Sequence, residues 1–293
     1  MILVVGGTGR LGSLVVNRLV ARGEAVRVMT RDASRAEHLP AGVQVIPGDL
    51  QDPASLAAPV AGVDLVVAAA HGFEGPGNVS PAGIDRDGNI NLINTIRNHG
   101  AELVMMSLVG AAPDAPMELQ RMKYAASSWA SSSGVATTVI AATAFADLWI
   151  SILTMTAAKS GRPLVFGRGE NPINFVAASD VADLVEIALF DRTTRGMTLE
   201  IGGPENVTMN HLARLVQEAA GRTSQPRHIP QMMLRVMGPI IERVNPARGR
   251  QIRASLSMDT IDLTFDAGPI HRTYPQLPNT PIEQVVRDEQ LSR

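Results

Sequence analysis

The chain has 293 residues, 45% of them hydrophobic, and a formal net charge of −2. That size suits one large domain or a domain with a smaller lobe, and the near-neutral balance points away from a nucleic-acid partner. The complete lack of cysteine excludes disulfides, zinc–thiolate sites and a cysteine nucleophile, and fits a reducing cytoplasm.

In chain order, "ILVV" reads as a strand with no basic region before it, so no signal peptide is expected. "LGSLVVNRLVARG" has helical spacing and ends at Gly23, a C-terminal stop. "AVRVMT", "VQVI", "VDLVVAAA", "ELVMMS" and "TTVIAA" supply five more strands. Helices are expected between most of them: around Pro53 to Val60, from Gly83 to Asn98, and from Met117 to Ser132. The strands are continuous apolar runs, the pattern of a sheet covered on both faces. The expected fold is therefore α/β, a Rossmann-type doubly wound parallel sheet with a smaller C-terminal substrate lobe. Residues 1–150 form the dinucleotide domain in this reading, and residues 151–293 complete the sheet and form the lobe.

Residues 135–158 are long enough to cross a bilayer. Asp147 in their middle and the many threonines argue instead for a buried strand followed by a helix. Beyond Phe145, "GRPLVFGRGENPINFV" is turn-rich. "SDVADLVEIALF" is a helix with Ser179 as its cap and Asp180 in its first turn. "MTLEIGG" is a strand, and "TMNHLARLVQEAAGR" is a helix capped by Thr208 and stopped at Gly221. The helical spacing of Met232, Met233, Met237 and Ile240 assigns them to a core.

The glycines of "VVGGTGRLG", residues 4–12, carry the sharpest signal. Gly7, Gly9 and Gly12 satisfy G-x-G-x-x-G, and Gly6 extends the pattern. A strand precedes the run, a helix opens inside it and a strand follows, the setting in which such a loop holds a pyrophosphate. Gly6, Gly7, Thr8, Gly9, Arg10, Leu11 and Gly12 are its candidate residues. At the end of the second strand, Thr30 stands where an NAD enzyme places an acid, and Arg31 follows. An arginine there can grip a 2′-phosphate with two prongs, helped by Arg10, so NADP is favoured, with NAD possible. Asp32 reverses that preference if it points inward. Arg31 and Asp32 as a solvated pair is the plain alternative.

On "GGTGRLG", "VRVMTRD", "GDLQD", "DRDGNINLINTIRNHG", "MMSLVGA", "MKYAA" and "NFVAASDVADL", the chain resembles the atypical short-chain dehydrogenase/reductases, in their NmrA-like, NAD(P)H-binding branch, over nearly its whole length. The resemblance implies that Asp49 and Leu50 hold the adenine and that Ala69 and Ala70 line the cofactor path. It matches Ser107 to the active-site serine and Lys123 to a lysine near the nicotinamide ribose. Ala142, Thr143, Ala144 and Phe145 correspond to residues that contact the nicotinamide through their backbone, although "AATAF" departs from the usual Arg-Pro-Gly-like stretch. The superfamily's Tyr-x-x-x-Lys is also missing: Leu119 stands four residues before Lys123. Tyr124 is adjacent to Lys123, but neighbours on a helix point about 100° apart.

Chemistry then falls to Lys123, as an acid or a polariser of a carbonyl, with Ser107 donating to the same oxygen. Lys123 as a mere ribose anchor, or as a solvated lysine, stays open. His71 follows the fourth strand and is a candidate acid or substrate contact, or simply exposed. No metal site is expected, and no nucleophile elbow surrounds the serines near Trp129. A pocket walled by Phe145, Trp149, Phe166 and Phe175 suits a small to medium apolar carbonyl, enone or quinone-like compound. Three readings remain: an NADP-dependent reductase, a non-catalytic redox sensor, and an epimerase or isomerase. A small-molecule substrate, no nucleic acid, no membrane and a cytoplasmic location are expected, with monomer and homodimer both open.

Overall fold

The computed structural model describes residues 1–73, 75 and 79–291. The strands are β1 (Ile2–Val5), β2 (Val26–Thr30), β3 (Gln44–Pro47), β4 (Leu65–Ala68), β5 (Glu102–Leu108), β6 (Thr137–Ala142), β7 (Ala144–Phe145), β8 (Leu164–Phe166), β9 (Pro172–Val176), β10 (Thr198–Ile201), β11 (Asn206–Thr208) and β12 (Arg227–Ile229). The α-helices are α1 (Arg10–Ala21), α2 (Ala57–Val60), α3 (Asn89–Arg97), α4 (Glu118–Ser133), α5 (Ala146–Ser160), α6 (Ala178–Phe190), α7 (Met209–Ala219), α8 (Gln231–Val244), α9 (Pro246–Met258), α10 (Gly268–Thr273) and α11 (Ile282–Leu291). The chain divides into two compact units, one of residues 1–141 and 181–200, the other of 142–180 and 201–293.

A seven-stranded sheet in the order β10-β6-β5-β4-β1-β2-β3 dominates the first unit. Strands β3, β2, β1, β4 and β5 run parallel. The strand order reverses between β1 and β4, so the fold is the doubly wound α/β architecture expected, and its binding crevice lies beyond the carboxyl ends of those two strands. All of β1 is buried, and α1 covers it with Leu11, Val15, Val16 and Leu19, one face at helical spacing. Gly23 (φ +83°) lets the chain turn away just past that helix. β3 departs from the two-face expectation: it is the sheet edge, and Gln44 and Val45 are exposed.

The helix expected from Gly83 is wound in two ways. Pro81–Gly88 forms a π-helical stretch, and only from Asn89 does it become α-helical. The buried Asn89 amide donates to both Ile84 O and Asp85 O, at 3.1 Å each, and competes for the carbonyls of that turn. Ser80 caps the stretch by accepting from Gly83 N.

The second unit has its own core, including Trp149, Ile150, Leu153, Phe175, Leu212 and Val286. Two small sheets brace it, β11-β9-β7 and β12-β8. The sequence reading did not separate β8, β9 and β12 from their turn-rich surroundings, because three- to five-residue strands carry little periodicity. The apolar run 135–158 divides into β6, β7 and most of α5, and no helix of the described residues is long and apolar enough to cross a membrane. Asp147 lies in the first turn of α5, and its carboxylate accepts the Ala178 N–H at 2.9 Å.

Two expectations are corrected. Ser179 does not cap its helix, because α6 already begins at Ala178. Met232, Met233, Met237 and Ile240 are not core: all four are exposed, because α8 buries only Leu234 and Gly238. Amphipathic spacing shows that a helix has two faces, not which face is covered. Thr208 does cap α7, accepting from His211 N at 3.1 Å.

Candidate functional site

The glycine loop leaves β1 and turns back on itself. Gly9 N donates to Gly6 O at 2.9 Å. Gly6 has φ +85°, and a Cβ there would lie 2.6 Å from Ala70 N. A Cβ on Gly12 would lie 2.1 Å from Gly6 O. The fold thus brings Gly6, Gly9, Gly12, Ala69 and Ala70 together at the switch point, with Ala69 N bonded to Val5 O at 2.9 Å. Gly7 packs towards Val28 of β2. α1 starts with Gly9 as its N-cap and no side-chain cap, so its first-turn N–H groups stay available to an anion. Leu11 is buried, Thr8 is half-buried, and Arg10 is exposed at the helix start. A diphosphate fits this cradle: backbone fills the space that side chains would occupy, and the N–H groups are not claimed by a cap.

At the end of β2 the structure separates the two competing residues. The Asp32 carboxylate accepts from Ser34 N at 3.0 Å and from Ser34 Oγ at 2.8 Å, capping the 3₁₀ turn Ala33–Ala36. Those hydrogen bonds from Ser34 hold its pKa below the ordinary carboxylate value. Arg31 is exposed and has no hydrogen bond or ion pair among the described residues. Exposed Arg35 follows in the same turn, a second cation that the sequence reading did not single out. Asp49 is tied into its own turn, accepting from Gln51 N at 3.0 Å, while buried Leu50 offers its carbonyl to Asn91 Nδ2 at 2.9 Å.

Lys123 lies on α4, which packs against β5. Its side chain is only 6% exposed, and Nζ lies 2.9 Å from Oδ1 of Asp85, which is wholly buried. The other Asp85 oxygen accepts the Gly72 N–H at 2.8 Å. One carboxylate from the π-helical stretch therefore ties the α4 lysine to the loop after β4. Sequence reading missed Asp85. Its only signal was an acid in "IDRDGN", which no spacing rule links to a lysine 38 positions on. Tyr124 is exposed, on a different face of α4 from Lys123. Gln120 is buried and donates to Val109 O at 3.0 Å, just past β5, and its Oε1 has no hydrogen-bond partner among the described residues. Ser107 is buried at the end of β5, and its hydroxyl has no hydrogen-bond partner among the described residues. His71 is exposed.

Ala142, Thr143, Ala144, Phe145, Trp149 and Phe166 belong to the second unit. Thr143 Oγ1 donates to Asn174 Oδ1 at 2.9 Å, and the same oxygen accepts Gly203 N. Ala144 and Phe145 pair with Phe175 and Val176 of β9, which rigidifies this stretch of backbone. Trp149 is buried and, with half-buried Phe166, borders an apolar cavity of about 20 Å³ that also meets Met209 and Met258. That volume admits about one water molecule.

The profile of a family described as NAD(P)H-binding matches residues 6–192 of this chain. An NAD(P)H azoreductase of Xenophilus azovorans is 30% identical over 225 residues, 76% of this chain and 74% of that protein. Two solved structures share the fold. An NADPH-dependent quinone oxidoreductase from Escherichia coli, solved with NADPH, superposes with a TM-score of 0.78 at 18% identity over all of both chains. A triphenylmethane reductase from Citrobacter sp., solved with NADP(H), gives 0.79 at 17% identity over 99% of this chain and 100% of the other.

Proposed function

Because the chain belongs to the NAD(P)H-binding family, we propose that it is an NADPH-dependent reductase of a small to medium apolar acceptor such as a carbonyl, enone or quinone-like compound. The observation that carries this reading is the glycine cradle at the switch point, closed by the contact of Gly12 with Gly6 O and flanked by an unpaired Arg31. The relative named as an NAD(P)H azoreductase supports a reductase. The lack of cysteine supports a reducing compartment such as the cytoplasm.

Bound in that cradle, the dinucleotide supplies a hydride. The N–H groups at the start of α1 would hold its diphosphate, and Arg31 with Arg35 after β2, helped by Arg10 of the glycine loop, would meet the 2′-phosphate. Asp85 balances the Lys123 charge, and the Lys123 ammonium would donate to ribose hydroxyls or to a substrate oxygen. Ser107 offers a hydroxyl with no competing partner among the described residues, and exposed His71 is a candidate proton donor. With Leu119 in the tyrosine position, the standard Tyr-x-x-x-Lys pair is not available.

A second reading, a non-catalytic redox sensor, draws support from two observations. The Lys123 charge is already met by a buried carboxylate, and the tyrosine is replaced. Side-by-side titration with NADPH, NADP⁺, NADH and NAD⁺, followed by deuteride transfer from labelled NADPH to a quinone or an azo dye, separates the two. Preference for both phosphorylated forms with label in the product supports the reductase. Strong discrimination between oxidised and reduced forms with no transfer supports the sensor. No binding of any of the four removes both.

A further inference from the structure

Helix α8 turns an apolar face to solvent. Met232, Met233, Val236, Met237, Ile240 and Val244 are all exposed, Met232 at 76% and Val244 at 85%. At about 100° per residue these six positions fall within one continuous arc of the helix. The opposite side carries Leu234 and Gly238, the residues α8 buries. A solvent-facing helix surface ordinarily carries charge, and contiguous exposed apolar area marks an interaction site.

The face is held outward by firm attachments. Gly238 sits against Ile252 of α9, and a Cβ on Gly249 would lie 2.4 Å from the Glu242 Cβ, so α8 and α9 pack closely. The Gln231 amide at the start of α8 donates to Asp259 beyond α9. Asp259 also accepts the N–H groups of Arg168 and Gly169, both at 2.9 Å.

The segment that contains α8 is basic. Residues 222–258 contain seven arginines and a single carboxylate, Glu242, a net +6 within a chain whose total is −2. Glu242 is already paired with Arg253. Arg235 and Arg243 of α8 are exposed, with no hydrogen bond or ion pair among the described residues.

We propose that α8 is a docking face for an anionic lipid surface. The helix lies in the plane of the bilayer, its six apolar side chains enter the acyl boundary, and Arg235 and Arg243 meet lipid phosphates. An apolar arc with arginines on and beside it is the chemistry of an interfacial helix. At 14 residues α8 is too short to span. A second copy of this chain fits less well. A two-fold contact through this face would bring Arg235 and Arg243 of both copies together, with no free carboxylate to offset them. Within the arc, Arg243 falls between Met232 and Val236, where its long side chain can reach a lipid phosphate, and the other positions of the arc are apolar; a fluid lipid surface needs no polar group to set a register. This departs from the expectation of no membrane contact, which rested on the lack of a spanning segment. The proposal is independent of the dinucleotide chemistry.

Flotation of the full chain with vesicles tests it. Vesicles of phosphatidylcholine alone are compared with vesicles of equal parts phosphatidylcholine and phosphatidylglycerol, with NADPH titration of each variant as a folding control. The wild type is expected to float with the anionic vesicles only, and to be released by salt. The V236E/I240E double variant should lose flotation. R235Q and R243Q should each weaken it about five-fold. Failure of the wild type to float, or unchanged flotation of V236E/I240E, overturns the proposal. So does a dimer in sedimentation velocity that V236E/I240E converts to monomer, which assigns the face to a second copy.

Discussion

Lys123 Nζ and Asp85 Oδ1 stand 2.9 Å apart, and both side chains are withdrawn from water. The pair joins α4 to the π-helical stretch, and through Gly72 N it also holds the loop after β4. Removing one member of such a pair strands the other charge inside the protein, at about 3–5 kcal/mol. Asp85→Asn keeps the side-chain shape and an acceptor for Gly72, so its fall in urea resistance should report the lost charge. Adding Lys123→Met should recover part of it. Equal stability of Asp85→Asn and wild type would show that the pair contributes nothing.

Under the reductase reading, Lys123→Ala should lower turnover about 10²–10⁴-fold with NADPH affinity largely kept. Steady-state rates beside an NADPH titration check this. Full turnover in the variant would leave Lys123 an anchor only.

Gly12 has no space for a methyl group. A Cβ there meets the Gly6 carbonyl at 2.1 Å, a backbone atom that cannot move without opening the loop. Gly12→Ala should destabilise the fold by about 1–3 kcal/mol and abolish dinucleotide binding. Thermal melting and NADPH titration read the two effects separately. Unchanged NADPH affinity would mean that the loop is only a turn.

Arg31 and Asp32 should respond in opposite ways. Losing the Arg31 contact should weaken NADPH by about 1.5–3 kcal/mol and leave NADH unchanged. Asp32→Ala should leave NADH binding unchanged, because Ser34 already occupies that carboxylate. A selective loss of NADH affinity in Asp32→Ala would restore the NAD assignment.

Asp259 should make stability depend on acid. Burial raises its pKa, but the Arg168 N–H, the Gln231 amide and the Gly169 N–H outweigh that and hold it below the ordinary carboxylate value. A depressed folded-state pKa adds stability that is fully present above the unfolded value of about 3.9 and lost as pH falls through the folded value. Asp259→Asn should therefore be less stable than wild type in urea at neutral pH. The gap should narrow below about pH 4. A constant gap across that range would assign the effect to packing.

Much of the architecture was legible in the chain. Six strand runs in the first half match β1 to β6 within one or two residues, because buried parallel strands are continuous apolar segments with punctuation between them. The glycine spacing located the tight loop after β1, and Thr208, through its hydroxyl, and Gly221, through its positive φ, bounded α7. The π-helical winding before α3 was not legible, because it depends on where the Asn89 side chain donates.

The sequence by itself determined the doubly wound sheet, the glycine cradle and its place after β1, since these rest on local periodicity and on steric limits at single residues. Only the tertiary structure decided which charges meet. It placed Asp85 against Lys123 across 38 residues and engaged the Asp32 carboxylate with Ser34. It also chose which side of α8 faces water. Each of these depends on distances between segments remote in sequence or on side-chain direction, and neither quantity is carried by spacing along the chain.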